Sequence, residues 1–140
     1  MMSNPAEELR PLVALDTNVL VRLFIDDDPD QHLRVQALVG SLTRERPGLV
    51  HPVVLCEFVW ALRRVYRVPK QEVADALGHV LRTSTLSVVR RPYAEQALDL
   101  YRSGPFDFAD CLLAAEYADL GGEMRTFDQK AQRLPGVAAL

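Results

Sequence analysis

The chain has 140 residues, 49% of them hydrophobic and 25% charged, which is enough apolar material for one globular domain and too much for disorder. Lys plus Arg number 16 and Asp plus Glu 19, a formal net charge of −3, which excludes a globally basic nucleic-acid binder but not a nuclease whose acids hold cations. Two cysteines are too few for a disulfide framework, no apolar run approaches the ~18 residues of a membrane span, and the start of the chain lacks the basic and apolar regions of a signal peptide.

These features predict a soluble, cytoplasmic protein with no membrane attachment. Residues 1–11 read as a polar N-terminal lead-in and residues 12–140 as a single domain. Leu12, Val13, Ala14 and Leu15 make a short continuous apolar run, the mark of a strand buried on both faces, and it stops at Asp16. Thr17 and Asn18 are capping residues for a helix over 19–25. Asp30 can cap a helix to about residue 46, with Leu33, Ala37 and Leu38 on one face. After the Pro47-Gly48 turn, residues 49–51 read as a second strand, and Pro52 suits a helix start. The helix over 53–67 is apolar around most of its circumference and is expected to be largely buried. Pro69 begins a helix to about 81, residues 86–89 form a third strand, and Pro92 opens a helix through Tyr101 that Ser103, Gly104 and Pro105 end. A helix from Asp107 stops at Gly121-Gly122. Residues 124–127 form a fourth strand, then come Asp128 and a short helix, and residues 137–140 add an edge strand. Strands alternating with helices predict an α/β fold, a parallel sheet covered by helices on both faces. Ligands of such sheets bind at the carboxyl ends of the strands, where Asp16 and Asp128 stand.

Two further acids occupy unusual positions. Glu57 sits in Val53-Val54-Leu55-Cys56-Glu57-Phe58-Val59-Trp60, where an unpaired buried charge would be expensive. It must reach a polar face or be compensated. Its own face carries Ala61, which leaves room, and Arg64, which is well placed for a phosphate. Asp110 repeats the pattern in Phe106-Asp107-Phe108-Ala109-Asp110-Cys111-Leu112, with Ala114 one turn on and Asp107 three residues earlier. Asp107 also reads as a helix cap. Carboxylates gathered at one strand edge repel; at ~4 Å and an effective dielectric near 20 each close pair costs about 4 kcal/mol. Protonation or bound cations relieve this. Oxygen ligands without clustered His or Cys favour Mg²⁺ or Mn²⁺ over zinc. His32, His51 and His79 show no ligand spacing, and Cys56 and Cys111, each beside one of the acids, read as small packing residues.

The segments Ala14-Leu15-Asp16-Thr17-Asn18-Val19-Leu20, Pro52 to Trp60, Asp107 to Ala115, and Thr126-Phe127-Asp128 together resemble PIN-domain nucleases, particularly VapC-like toxins of bacterial toxin–antitoxin pairs. The resemblance runs from Val13 to Leu140. It implies a three-layer α/β/α sandwich with a central parallel sheet of four or five strands. It also implies a quartet, Asp16, Glu57, Asp110 and Asp128, that binds Mg²⁺ or Mn²⁺ and cuts RNA. Thr126 matches a hydroxyl residue beside the last acid, and Asn18 a polar residue that steadies the first. Asp107 is a supporting candidate. A cognate antitoxin protein and a homodimer are likewise expected from the resemblance. The polar lead-in departs from family members that begin almost at the first strand.

The expected reaction is hydrolysis of an RNA phosphodiester by a metal-activated water, with Asp110 or Asp128 as proton acceptor and with 5′-phosphate and 3′-hydroxyl ends. Arg63, Arg64, Arg67 and Lys70 form the densest basic stretch, and Arg125 and Lys130 flank the last acid; Arg64, Arg67 and Lys130 are the candidate RNA contacts. Two other enzyme classes on similar sheets fit less well. A phosphate-accepting receiver domain wants an acid pair after the first strand, and Leu15-Asp16 offers one acid. A dehalogenase-type phosphatase wants Asp-x-Asp, and Asp16-Thr17-Asn18 fails at the third position. A housekeeping RNA-processing nuclease and a non-catalytic RNA- or partner-binding scaffold are the remaining alternatives.

Overall fold

Short apolar runs between turn residues become three-residue strands here, and the longer amphipathic runs become helices. The computed structural model describes residues 4–8 and 10–140. The remainder of the lead-in, residues 1–3 and 9, lies outside the described residues. The order is α1 Pro5–Glu8, α2 Thr17–Phe24, α3 Pro29–Gly40, β1 Gly48–Val50, α4 Pro52–Arg64, α5 Lys70–Arg82, β2 Leu86–Val88, α6 Arg91–Ser103, α7 Phe108–Asp119, β3 Met124–Thr126, a 3-10 turn Ala131–Arg133, and β4 Val137–Ala139. Arg46 Nη2 donates to the carbonyls of Arg10 (2.6 Å) and Pro11 (3.2 Å), which ties the end of the lead-in to the body.

Among the described residues all strand pairing is parallel, as expected for an α/β chain. β1 pairs with β2 in the register Gly48 to Leu86 and Val50 to Val88. Residues 13–15 lie alongside β1: Leu49 N–H donates to Val13 O (2.8 Å) and Leu15 N–H to Leu49 O (2.9 Å). The predicted first strand is thus reduced to a bridge at Ala14. β3 pairs with β4, Met124 to Val137 and Thr126 to Ala139. Hydrogen bonding among the described residues therefore makes two separate ladders, not one sheet of four or five strands. Three-residue strands carry few ladder bonds, and Arg125 in the middle of β3 is exposed rather than enclosed. Gly48 lets β1 pass close to the core: a Cβ there would stand 2.9 Å from Leu42 Cδ1, so that side chain would have to shift. Gly121, at φ +76°, ends the chain's run through α7.

Packing corrects the sequence reading of three helices. Asp16, not Thr17 or Asn18, is the N-cap of α2. Pro29 at the first position of α3 makes the residue before it the cap, so Asp28 Oδ1 accepts from Gln31 N–H (3.1 Å) and Asp30 lies in the first turn. α3 stops at Gly40 rather than near 46, and it turns Val35 inward while Leu33 is 65% exposed and Ala37 is exposed. Asp28→Ala is expected to cost about 1 kcal/mol and Asp30→Ala much less, read as urea midpoints at constant slope. The reverse order would return the cap to Asp30. α4 ends at Arg64, and Arg67 adopts a left-handed φ of 54° in the turn to α5. α4 buries Leu55, Phe58, Val59 and Leu62, but Val53 and Trp60 stand 55% and 61% exposed. The core seen by α4 is therefore one-sided, because α2, α5 and α7 pack against it and leave a free face. No helix among the described residues is long and apolar enough to cross a membrane.

Candidate active site

Asp107 and Asp110 lie one helical turn apart at the start of α7, so their side chains share a face. Asp128 follows β3. Asp107, Asp110 and Asp128 each bring a carboxylate oxygen within 4.8 Å of the other two. Asp107 occupies the N-cap position with extended backbone, φ −79° and ψ 141°, yet its side chain makes no capping bond. Its carboxylate faces the other acids instead. Burial, then the charges of Asp107 and Asp128, hold the Asp110 carboxyl above its ordinary range. Asp128 is fixed from both sides. Its N–H donates to Thr126 Oγ1 (3.0 Å), and its Oδ1 accepts from Lys130 N–H (2.9 Å) and Ala131 N–H (3.2 Å). Oδ2 accepts no hydrogen bond among the described residues.

The other two sequence-predicted acids form a second group. Asp16 Oδ1 accepts from Thr17 N–H at 2.7 Å, and Thr17 Oγ1 donates to Glu57 Oε2 at 2.9 Å. Thr17 therefore links the acid after the first strand segment to the acid of α4, a role its capping chemistry concealed. Glu57 lies on the exposed face of α4, which resolves how an acid fits an otherwise apolar helix. Asp16 and Glu57 fall outside the 4.8 Å group of Asp107, Asp110 and Asp128. Asn18 makes no side-chain bond to Asp16; it lines a separate recess of about 340 Å³ with Arg22 and Gln31.

The donor set suits a hard divalent cation. An ion with ~2.1 Å bonds spans about 4.2 Å between opposite ligands, which fits inside the 4.8 Å that bounds these oxygens, and all the donors are carboxylate oxygens. Neither cysteine competes. Burial pushes the Cys56 thiol up to about 11 and the Cys111 thiol up to about 12, which keeps both protonated and inert. The histidines have structural partners: His51 Nδ1 caps α4 at Val53 N–H, His32 Nδ1 meets Arg22 O at 2.7 Å, and His79 packs edge-on to Phe24.

A cleft of about 680 Å³ opens between α4 and the segment before α7, and Asp107 forms part of its wall. Arg64, Arg67 and Lys130 line it, with no hydrogen bond or ion pair from their side chains among the described residues. Arg63 and Lys70 also line it but are occupied. Arg63 Nη1 donates to Val68 O (3.0 Å), and Lys70 Nζ donates to Gly104 O and Phe106 O and lies 4.3 Å from the Tyr101 ring centroid. Burial lowers the Lys70 pKa.

The family model for the PIN domain matches residues 13–137. The chain is also 23% identical over 122 residues to a VapC ribonuclease of Aquifex aeolicus (strain VF5), an alignment that covers 86% of this chain and 90% of that protein. Four segments in fixed order, a three-carboxylate cluster between the start of α7 and the end of β3, and a match over most of the length agree, and the chain belongs to the PIN domain family, resembling its VapC-like members.

Proposed function

We propose that this protein is a Mg²⁺- or Mn²⁺-dependent endoribonuclease acting as the toxin of a toxin–antitoxin pair in the cytoplasm, as a homodimer held in check by a cognate antitoxin. The observation that carries the catalytic part is the approach of three carboxylate oxygens, from Asp107, Asp110 and Asp128, to within 4.8 Å of one another. The similarity to a protein called VapC ribonuclease supports RNA as the substrate and the toxin role. We assign Asp16 and Glu57 to the same site, with Asp107, Asp110 and Asp128 as the ligands nearest one ion. We also assign the two parallel ladders to the two halves of one helix-covered layer.

A bound Mg²⁺ or Mn²⁺ would supply Lewis-acid polarisation of the scissile phosphate and a water of lowered pKa. Asp110, in the carboxylate cluster with Asp107 and Asp128, accepts the proton of the attacking water. Asp128, anchored through Oδ1, keeps its other oxygen for the ion. Water attacks phosphorus, the bond from phosphorus to the 3′-oxygen breaks, and that oxygen takes a proton. The products carry 5′-phosphate and 3′-hydroxyl ends. Thr17 holds Glu57 in one orientation.

Cleavage of total RNA by the full chain with Mn²⁺, set beside Asp16→Asn, tests the reading. Loss of cleavage in the variant and 5′-phosphate ends are expected; equal cleavage by both proteins would defeat it. Thr17→Val is expected to slow cleavage about tenfold by freeing Glu57 while leaving the thermal midpoint in place. A variant as fast as the parent would show that Thr17 positions nothing.

A further inference from the structure

We propose that the cleft beside Asp107 seats one unstacked nucleobase of a single-stranded RNA, with its face against Trp60 and Phe106 and its polar edge toward the Tyr101 hydroxyl. The proposal rests on the reading of RNA as the substrate and specifies which part of it this chain grips. Four independent features converge on it. Trp60 lines the cleft yet is 61% exposed, an indole left open to water beside a helix face that could have been polar. Tyr101 lines the same cleft and is 3% exposed, and its Oη is buried with no hydrogen-bond partner among the described residues. A buried hydroxyl without a partner is uncommon in folded proteins and marks a place where a polar group is missing. Arg64, Arg67 and Lys130 face the cleft uncommitted, ready for a phosphate backbone. Finally, Asp107 belongs both to the cleft wall and to the carboxylate cluster, so the seated nucleotide adjoins the scissile phosphate.

The walls are built in advance. Lys70 holds the carbonyls of Gly104 and Phe106, and Arg63 holds that of Val68, so these two cations are spent on shape rather than on a ligand. An acidic protein segment would use the cations alone. An exposed indole together with an unsatisfied hydroxyl favours a group that has a π face and hydrogen-bonding edge atoms, as every nucleobase does. A duplex keeps its bases stacked and cannot use the cleft, so cleavage is directed to loops and single strands.

Trp60 is the chain's one tryptophan, so its fluorescence reports this cleft alone. The full chain in EDTA is titrated with a single-stranded decaribonucleotide, the same sequence as a duplex, and poly-L-glutamate. Saturable quenching by the single strand is expected, with at least tenfold weaker quenching by the duplex and by polyglutamate. Trp60→Ala, at an exposed position, is expected to weaken binding of fluorescein-labelled single strand by about tenfold. Tyr101→Phe is expected to weaken it several-fold without lowering the thermal midpoint, since the oxygen removed has no partner to lose. Equal quenching by duplex, or none by any RNA, would overturn the proposal, and quenching by polyglutamate as strong as by RNA would hand the cleft to an acidic protein segment. The metal-free format keeps the two readings apart. RNA cutting without Trp60 quenching sinks this proposal alone, and quenching without cutting sinks the nuclease alone.

Discussion

Asp107→Asn, Asp110→Asn and Asp128→Asn are each expected to lower Mn²⁺-dependent RNA cleavage by at least ~100-fold, more than loss of an outer-shell partner. The Asp107 variant carries the most information. Asparagine caps a helix about as well as aspartate, so a residue whose only work is capping α7 would tolerate the change. Asp107 stands at the cap position without making the capping bond, and its carboxylate lies in the group with Asp110 and Asp128. Removing its charge therefore removes a ligand and leaves the helix start intact. Asp128→Asn tests a different point. Its Oδ1 accepts two backbone N–H groups, and an asparagine oxygen can keep both, so the fold around the 3-10 turn should survive. Circular dichroism on the same preparations separates loss of chemistry from loss of structure. Cleavage by Asp107→Asn at the rate of the parent would remove that residue from the metal set.

Without a divalent ion, Asp110→Asn is expected to be more stable than the parent near neutral pH, and added Mn²⁺ should reverse the order. The Asp110 carboxyl is held above its ordinary range by burial first and by Asp107 and Asp128 second. A raised folded-state pKa means that the native protein binds this proton more tightly than the unfolded chain does. Below the unfolded value, ~3.9, both states are protonated and the group costs nothing. As pH rises from there through the folded value, stability is lost, and above the folded value the full cost of an ionised carboxylate in this setting remains. Asparagine cannot ionise and escapes that cost, so the gap between the two proteins should close as the pH falls below about 4. A cation bound only by the native state adds about 2.7 kcal/mol when its concentration is 100 times the dissociation constant. That gain belongs to the parent and is lost with the ligand. Thermal midpoints of both proteins at pH 7 and pH 4, in EDTA and in Mn²⁺, contain the whole comparison. A parent more stable than Asp110→Asn in EDTA at pH 7 would mean that the three acids are not crowded in the absence of metal.

Element order was legible in the chain because its punctuation is chemical. Pro52 and Pro92 open helices, Gly121 closes one, and the short runs read as strands at 49–51, 86–89 and 124–127 overlap the strands Gly48–Val50, Leu86–Val88 and Met124–Thr126. The candidate acids stood out for a related reason: Glu57 and Asp110 interrupt apolar helices, and Asp16 and Asp128 each follow a run read as a strand. Local rules misjudged the residues that two roles suit equally. Aspartate at 28 and at 30 can both cap a helix, and proline geometry chose Asp28. Asp107 looks like a cap in sequence and keeps the cap's backbone, but its carboxylate turns to acids that only folding brings near. Thr17 is a capping type whose hydroxyl found Glu57, forty positions away. The cleft was invisible for the same reason. Trp60 with Arg67, Tyr101, and Lys130 sit on three separate stretches of chain. Spacing along one helix or strand is set by backbone periods of 3.6 and 2 residues and can be read directly. The meeting of α7 with the turn after β3, and of α4 with the segment before α7, depends on how whole faces pack, and that was decided only when the core closed.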